Sequence, residues 1–241
     1  MPRLKKNIKK NIINLIKEGK SLNYIRSKTG VSKTTSYYYM KKINGRRYLP
    51  IKLKLKNKEL IVEIIGLFAG DGYYVNNVWD KRIRIYFNAK EIRLIDYYRK
   101  SFKKLTNKLP AVLSQKSVKI MQLHSKDFCN FILSYVIFGK RKVKTIELKN
   151  KLLLKDIKFV TGFLRGLIDS DGYVRKGRKE IYFGSISKNL FTDFLHSLNL
   201  FNFRYKTYVQ KRDGFQDFYK VRLSGNEVDR FVKLIKPQKR F

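Results

Sequence analysis

The sequence holds 241 residues, 43% of them hydrophobic, which is enough for about two domains with a real core and too apolar for a disordered basic tail. Its 56 Lys and Arg stand against 18 Asp and Glu, a formal net charge of +38. A folded chain that repels itself this strongly points to a polyanionic partner, with nucleic acid ahead of a membrane surface or an acidic protein. Cys129 is the single cysteine, which excludes an internal disulfide and a Cys-based zinc site. The two histidines, His124 and His196, are too few for a His-rich metal site and are read as incidental. The Lys-rich start has no apolar stretch behind it, and the longest uncharged run, residues 128–139, is shorter than the roughly 20 residues a span needs. An intracellular, soluble, non-secreted protein without a membrane partner is expected.

Residues 5–43 read as three short helices. Ile8, Ile12, Leu15 and Ile16 recur at helical spacing, Gly19 ends that helix, and Ser21 caps the next, with Leu22 and Ile25 facing inward. Residues 30–35, GVSKTT, make a turn and the capped start of a third helix. The stretch resembles a helix-turn-helix, whose third helix enters the major groove by its N-terminal end. That end carries Lys33, Thr34, Thr35 and Tyr37, all able to bond phosphates or base edges. The plainer reading is a small helical bundle with a solvated basic face. Residues 46–58 are rich in Lys and Arg and read as a basic linker; residues 1–58 hold 18 basic side chains against Glu18 alone, enough to grip a phosphate backbone.

The remainder is an internal repeat with a period of about 100 residues. Residues 64–73 read IIGLFAGDGY and residues 164–173 read LRGLIDSDGY. After each motif come an alternating strand (residues 82–87 and 180–185), a helix (91–105 and 188–198), two more strands, and a closing helix (127–138 and 225–235). Each copy therefore reads α-β-β-α-β-β-α, giving an α+β fold with a first half at 59–155 and a second at 156–241, preceded by the small all-α domain at 1–45. Alternation leaves a basic, hydrogen-bonding face on the strands: Arg82, Arg84 and Tyr86 in the first half; Arg204, Lys206, Tyr208, Gln210 and Arg212, then Lys220 and Arg222, in the second. These faces carry almost no acids, as suits contact with DNA.

Gly66 and Gly70, like Gly166 and Ser170, lie four apart on one helix face, where small residues let two helices meet backbone to backbone. If the motif helices pack together, their C-terminal ends bring Asp71 and Asp171 close, each against the negative end of its helix dipole and against the other. A divalent cation relieves both conflicts. Hard oxygen donors without His or Cys support favour Mg²⁺, with Mn²⁺ as a substitute. Carboxylates, Mg²⁺ and a phosphodiester together suggest metal-assisted hydrolysis.

Residues 164–172 closely resemble the LAGLIDADG motif of homing endonucleases, and residues 64–72 are a looser copy. The resemblance spans about residues 59–241 and implies the monomeric form, with two pseudo-twofold-related halves whose sheets straddle double-stranded DNA in the major groove. It implies that Asp71 and Asp171 bind the catalytic metals, assisted by the carbonyls of Gly70 and Ser170. It further implies cleavage of both strands across the minor groove at a long target, leaving short 3′ overhangs. A basic residue near each scissile phosphate, after the closing helix of each half, is also implied; Lys142 and Lys239 are the nearest candidates. This sequence departs from the motif at Ala69, where the family name has Asp, and at Arg165, which is expected to loosen or redirect helix packing. Asp169 is read as structural, and the N-terminal helices as an added module. A non-cleaving DNA-binding regulator and an intron-RNA maturase are the competing readings on the same scaffold. The helix-turn-helix favours duplex DNA over RNA, and a self-splicing intein is disfavoured by termini that lack the nucleophile and His-Asn such chemistry needs.

Overall fold

The computed structural model describes residues 4–44, 53–54, 57–77, 80–175, 177–211 and 213–239. Contacts divide the chain into two units, Met1–Pro50 and Ile51–Phe241. The expected linker at 46–58 lies for the most part outside the described residues.

The first unit is three helices, α1 (Lys6–Lys17), α2 (Leu22–Thr29) and α3 (Lys33–Asn44). Ile12, Ile16 and Ile25 form its core, with Ile8, Leu15, Val31, Tyr39 and Met40 packed around them. The Tyr24 N–H donates to Ser21 Oγ at 3.2 Å, and the Thr35 N–H to Ser32 Oγ at 3.2 Å, so each hydroxyl satisfies an amide that the start of a helix leaves unpaired. Gly30 closes α2 at φ +70°, a conformation that costs a residue without Cβ little.

The second unit is built on two helices, α4 (Lys58–Asp71) and α8 (Ile157–Asp171), packed against each other. Asn57 caps α4 through the Leu60 N–H at 3.0 Å, and Asp156 caps α8 through the Lys158 N–H at 2.9 Å. Residues 60–69 of α4 are all buried, the pattern of a helix with no solvent face. A Cβ on Gly166 would strike Glu63 O and stand 2.5 Å from Leu67 N; one on Gly66 would strike Phe163 O. Backbone therefore meets backbone along this seam, and only glycine fits there.

Each helix leads into a four-stranded antiparallel sheet. The first sheet runs β1 (Gly72–Asn76), β2 (Lys81–Asn88), β4 (Val118–His124), β3 (Ala111–Gln115); the second repeats it as β7 (Tyr173–Arg175), β8 (Glu180–Ser185), β10 (Phe218–Ser224), β9 (Lys206–Gln210). Helices α5 (Ile92–Thr106) and α6 (Lys126–Leu133) accompany the first sheet, and α9 (Lys188–Leu200) and α10 (Asn226–Ile235) the second. One continuous core runs through both halves. No helix among the described residues is long and apolar enough to cross a membrane.

Two expectations need correction. The closing helix of the first half ends at Leu133 rather than 138, and β5 (Val136–Ile137) pairs instead with β6 (Glu147–Leu148), on either side of the short α7 (Lys142–Thr145). Val136, Ile146 and Leu148 bury themselves here, and the connector is pinned to α9: Asp193 Oδ2 accepts the Leu148 N–H at 2.9 Å, and the Ser187 hydroxyl donates to Ile146 O at 2.7 Å. A 3₁₀ turn, Lys151–Lys155, then leads into α8. The second correction is β9, where no apolar face is buried: all five residues are exposed, because this edge strand is paired on one side only and extends past the core.

Candidate active site at the helix seam

The seam delivers both motif carboxylates to one place. A Cβ built on Gly70 would stand 2.8 Å from Asp171 Oδ2 and would strike Ser170 Oγ, so the two helix ends touch where Asp71 and Asp171 project. Burial, and then the charge of Asp171, pushes the Asp71 carboxyl up to about 7, against the pull of Lys239 and Lys142. Asp171 is also pushed up by burial and pulled down by the same two lysines; it keeps an exposed side where water screens part of that push.

The lysines sit on the last carbonyls of the two helices. Lys142 Nζ donates to Ala69 O at 2.8 Å and to Gly70 O at 2.7 Å; Lys239 Nζ donates to Ser170 O at 3.1 Å and lies 3.5 Å from Glu91 Oε1. Burial pulls the Lys142 ammonium down to about 8, opposed by Asp171 and Asp71. The chain thus gathers Asp71, Asp171, the Gly70 and Ser170 carbonyls, Lys142 and Lys239 at one end of the seam. No group of three or more His, Cys, Asp or Glu side chains that could hold a metal ion occurs among the described residues. The donors here are two carboxylates and two main-chain carbonyls, all hard oxygens. They fit a cation that keeps several waters, as Mg²⁺ does, and the repulsion that raises Asp71 is the kind a cation removes.

Beneath the seam lies a network that the sequence did not show. Arg165, rather than loosening the packing, clamps it: its guanidinium meets Glu63 at 3.0 Å and Glu59 at 2.6 Å on α4, while its Nε donates to Ile235 O at 2.7 Å. Glu63 is wholly buried and burial pushes its carboxyl up, against the pull of Arg165. Tyr97 donates to Glu63 at 3.2 Å, and Tyr98 to Asp169 at 2.7 Å. The available signal was a lone acid, Glu63, inside an otherwise apolar helical run, with its partner 102 positions away.

Residues 158–236 match a family model described as a LAGLIDADG-like domain. Among solved structures, I-DmoI in complex with DNA and Mn aligns with a TM-score of 0.59 at 15% identity, covering 77% of this chain and 99% of that one. The chain carries the LAGLIDADG homing endonuclease fold. I-WcaI bound to its DNA recognition sequence aligns with a TM-score of 0.53 at 13% identity over 86% of this chain and 88% of that one. The N-terminal LAGLIDADG domain of DUF199/WhiA gives 0.52 at 14% identity over 99% and 95%. Structures of I-DmoI have been solved with DNA in the presence of Mn, Ca and Mg. Two curated proteins also match: an A-type ATP synthase subunit of Pyrococcus abyssi, 22% identical over 77% of this chain, and the glutamine–fructose-6-phosphate aminotransferase of Methanocaldococcus jannaschii, 24% identical over 74%. The chain spans only 19% and 16% of their lengths.

On the LAGLIDADG fold, the outward sheet faces are where alternation places them. Ile83, Ile85 and Phe87 are buried while Arg82, Arg84 and Tyr86 stay partly open; Val221 and Leu223 are buried while Lys220 and Arg222 stay partly open. Lys206, Tyr208 and Gln210 are exposed on β9, and Arg204 lies just before that strand, paired with Glu227 at 3.2 Å. Arg212 lies outside the described residues. The faces are less free of acids than the sequence suggested: Asp80 pairs with Arg82 at 3.0 Å and Glu180 with Arg222 at 3.2 Å. Other polar side chains are tied to one another, Arg84 to Gln122 at 3.4 Å and Lys220 to Gln210 at 2.8 Å. A cavity of about 470 Å³ opens beside Asp171, lined by Tyr173, Arg175, Tyr182, Gly184 and Lys220 among others. His124 bonds Asp80 at 3.0 Å, away from the seam carboxylates. In the first unit, Lys33 and Thr34 are exposed and Tyr37 is half-buried, while the Thr35 hydroxyl is engaged by Ser32 Oγ at 2.9 Å.

Proposed function

We propose that this chain is a site-specific DNA endonuclease of the homing type that hydrolyses both strands of a long duplex target with Mg²⁺, leaving short 3′ overhangs, and that it acts as a monomer. The observation carrying this reading is the meeting of Asp71, Asp171, Lys142 and Lys239 at one end of a glycine seam, beside two sheets with basic faces. Asp71, Asp171 and the carbonyls of Gly70 and Ser170 are the residues that would hold the cation. When bound, the cation lowers the pKa of a water and stabilises charge on the leaving oxygen.

The rest is supplied by side chains. Lys142, largely desolvated, holds positive charge where a phosphodiester would enter, and a charge in a dry site attracts a phosphate more strongly than one in water. Lys239 does the same from the second half. Arg82, Arg84, Tyr86, Lys220, Arg222 and the exposed residues of β9 grip phosphates and base edges along the duplex. The ion pairs with Asp80 and Glu180 aim two of those arginines before DNA arrives. The first unit is a helix-turn-helix module that lengthens the footprint through Lys33, Thr34, Thr35 and Tyr37.

The test is incubation of the protein with a randomised duplex library in Mg²⁺, followed by sequencing of broken ends. Reproducible staggered ends at one sequence are expected. Retained, sequence-selective binding with intact DNA in both Mg²⁺ and Mn²⁺ would assign the protein to DNA-binding regulators instead.

A further inference from the structure

The two seam lysines are seated by different means. Lys142 opens the short helix α7, in a turn held by Thr145, whose hydroxyl accepts the Gly139 N–H at 2.8 Å and donates to Arg141 O at 3.1 Å. Its ammonium lies 5.2 Å from the centre of the Phe68 ring. Lys239 has no such helix. After α10 the chain turns at Lys236, in the left-handed region at φ 53°, and passes Pro237, which has no N–H. The next two amides, of Gln238 and Lys239, both donate to Asp169 Oδ1, at 2.9 and 2.8 Å. Tyr98 holds the other oxygen of that carboxylate at 2.7 Å from the first half. Asp169 thus anchors the main chain of Lys239, while the carbonyl of the neighbouring residue, Ser170, receives its Nζ. The matching position of the first motif is Ala69, which offers no acceptor side chain.

We propose that Asp169 is a positioning residue for Lys239, and that its absence from the first motif makes the two half-sites unequal, so that losing it slows the cut on one DNA strand far more than on the other. The strand bias rests on the nuclease reading above; the seating of Lys239 does not. A lysine reaches its target through four flexible methylenes, and anchoring its own backbone amide removes much of the disorder that would otherwise spread its charge. Seating by Asp169 acts on Lys239 alone, because Lys142 is held by groups from the connector and from α4.

The test uses the full chain carrying Asp169→Ala, which copies the first motif, beside Asp169→Asn, Lys239→Met and Lys142→Met. Hydrogen exchange on metal-free protein is expected to show lost protection at residues 238–239 in Asp169→Ala, with protection of α4 and α8 kept. Asp169→Asn restores it, since an amide oxygen can accept the same two bonds. With each strand of the target end-labelled, Asp169→Ala is expected to slow one strand by about tenfold to a hundredfold more than the other. The slowed strand is the one slowed by Lys239→Met and the opposite of that slowed by Lys142→Met. Unchanged exchange at 238–239, or equal slowing of both strands, overturns the proposal. If the wild-type chain cuts neither strand, the functional reading fails and the strand bias with it, while the exchange result still decides whether Asp169 seats Lys239.

Discussion

At the scale of single residues, the two seam carboxylates carry opposite demands on folding and on function. Each Asp is repelled by its helix end and by the other, which costs stability unless a cation or a proton intervenes. Asp71→Asn and Asp171→Asn are each expected to abolish cleavage while leaving DNA binding in EDTA intact or slightly tighter, since a negative charge beside the phosphates is removed; electrophoretic mobility shift against cleavage assays checks this. The pH response has a definite sign. With Asp71 at about 7 in the folded state against 3.8 in the unfolded chain, the folded protein holds a proton between those values that the unfolded chain has released. Its contribution is therefore present at low pH and lost as pH rises to about 7. Thermal unfolding in EDTA is expected to give a lower Tm at about pH 8 than at about pH 5, with a flatter profile for Asp71→Asn. Asp169, also pushed up to about 7 by burial, shifts the profile in the same direction.

At the scale of elements, the seam between α4 and α8 joins two chemistries: glycines that let the backbones touch, and an ion pair that ties them. Gly66, Gly70 and Gly166 were legible in the sequence because small residues four apart announce a close helix contact. The Arg165–Glu63 pair was not, because an arginine in a motif helix shows no partner until the other helix is laid against it. Removing one member of a buried pair strands the other as an uncompensated charge. Arg165→Met is expected to lower stability by about 3–5 kcal/mol in urea unfolding. Arg165→Met combined with Glu63→Leu is expected to recover most of that loss, because no buried charge then remains. A single variant no less stable than the double would show that the clamp adds nothing.

At the scale of the whole molecule, charge and the two-unit division govern binding. Six or more phosphate contacts imply an affinity that falls roughly a thousandfold between low and moderate salt. Deleting residues 1–50, which form a unit with its own core, is expected to weaken binding and flatten that salt dependence without moving the cut. A displaced cut in the truncated chain would mean that the first unit helps select the scissile position. Cleavage mapping on end-labelled target, with fluorescence anisotropy across a salt series, measures both.

Order along the chain determined much of this protein: the repeat of about 100 residues, the α-β-β-α-β-β-α order of each half, the small residues of the seam, the basic strand faces and the identity of the two acids. These are local or periodic features, and periodicity is written in one dimension. Only the tertiary structure decided which of several clustered lysines reach the seam, that Asp80 and Glu180 temper the sheet faces, that the first closing helix gives way to a strand docked on α9, and that Asp169 holds the backbone of Lys239. Each of those joins residues tens of positions apart through hydrogen bonds or burial, and neither leaves a period or a spacing in the sequence.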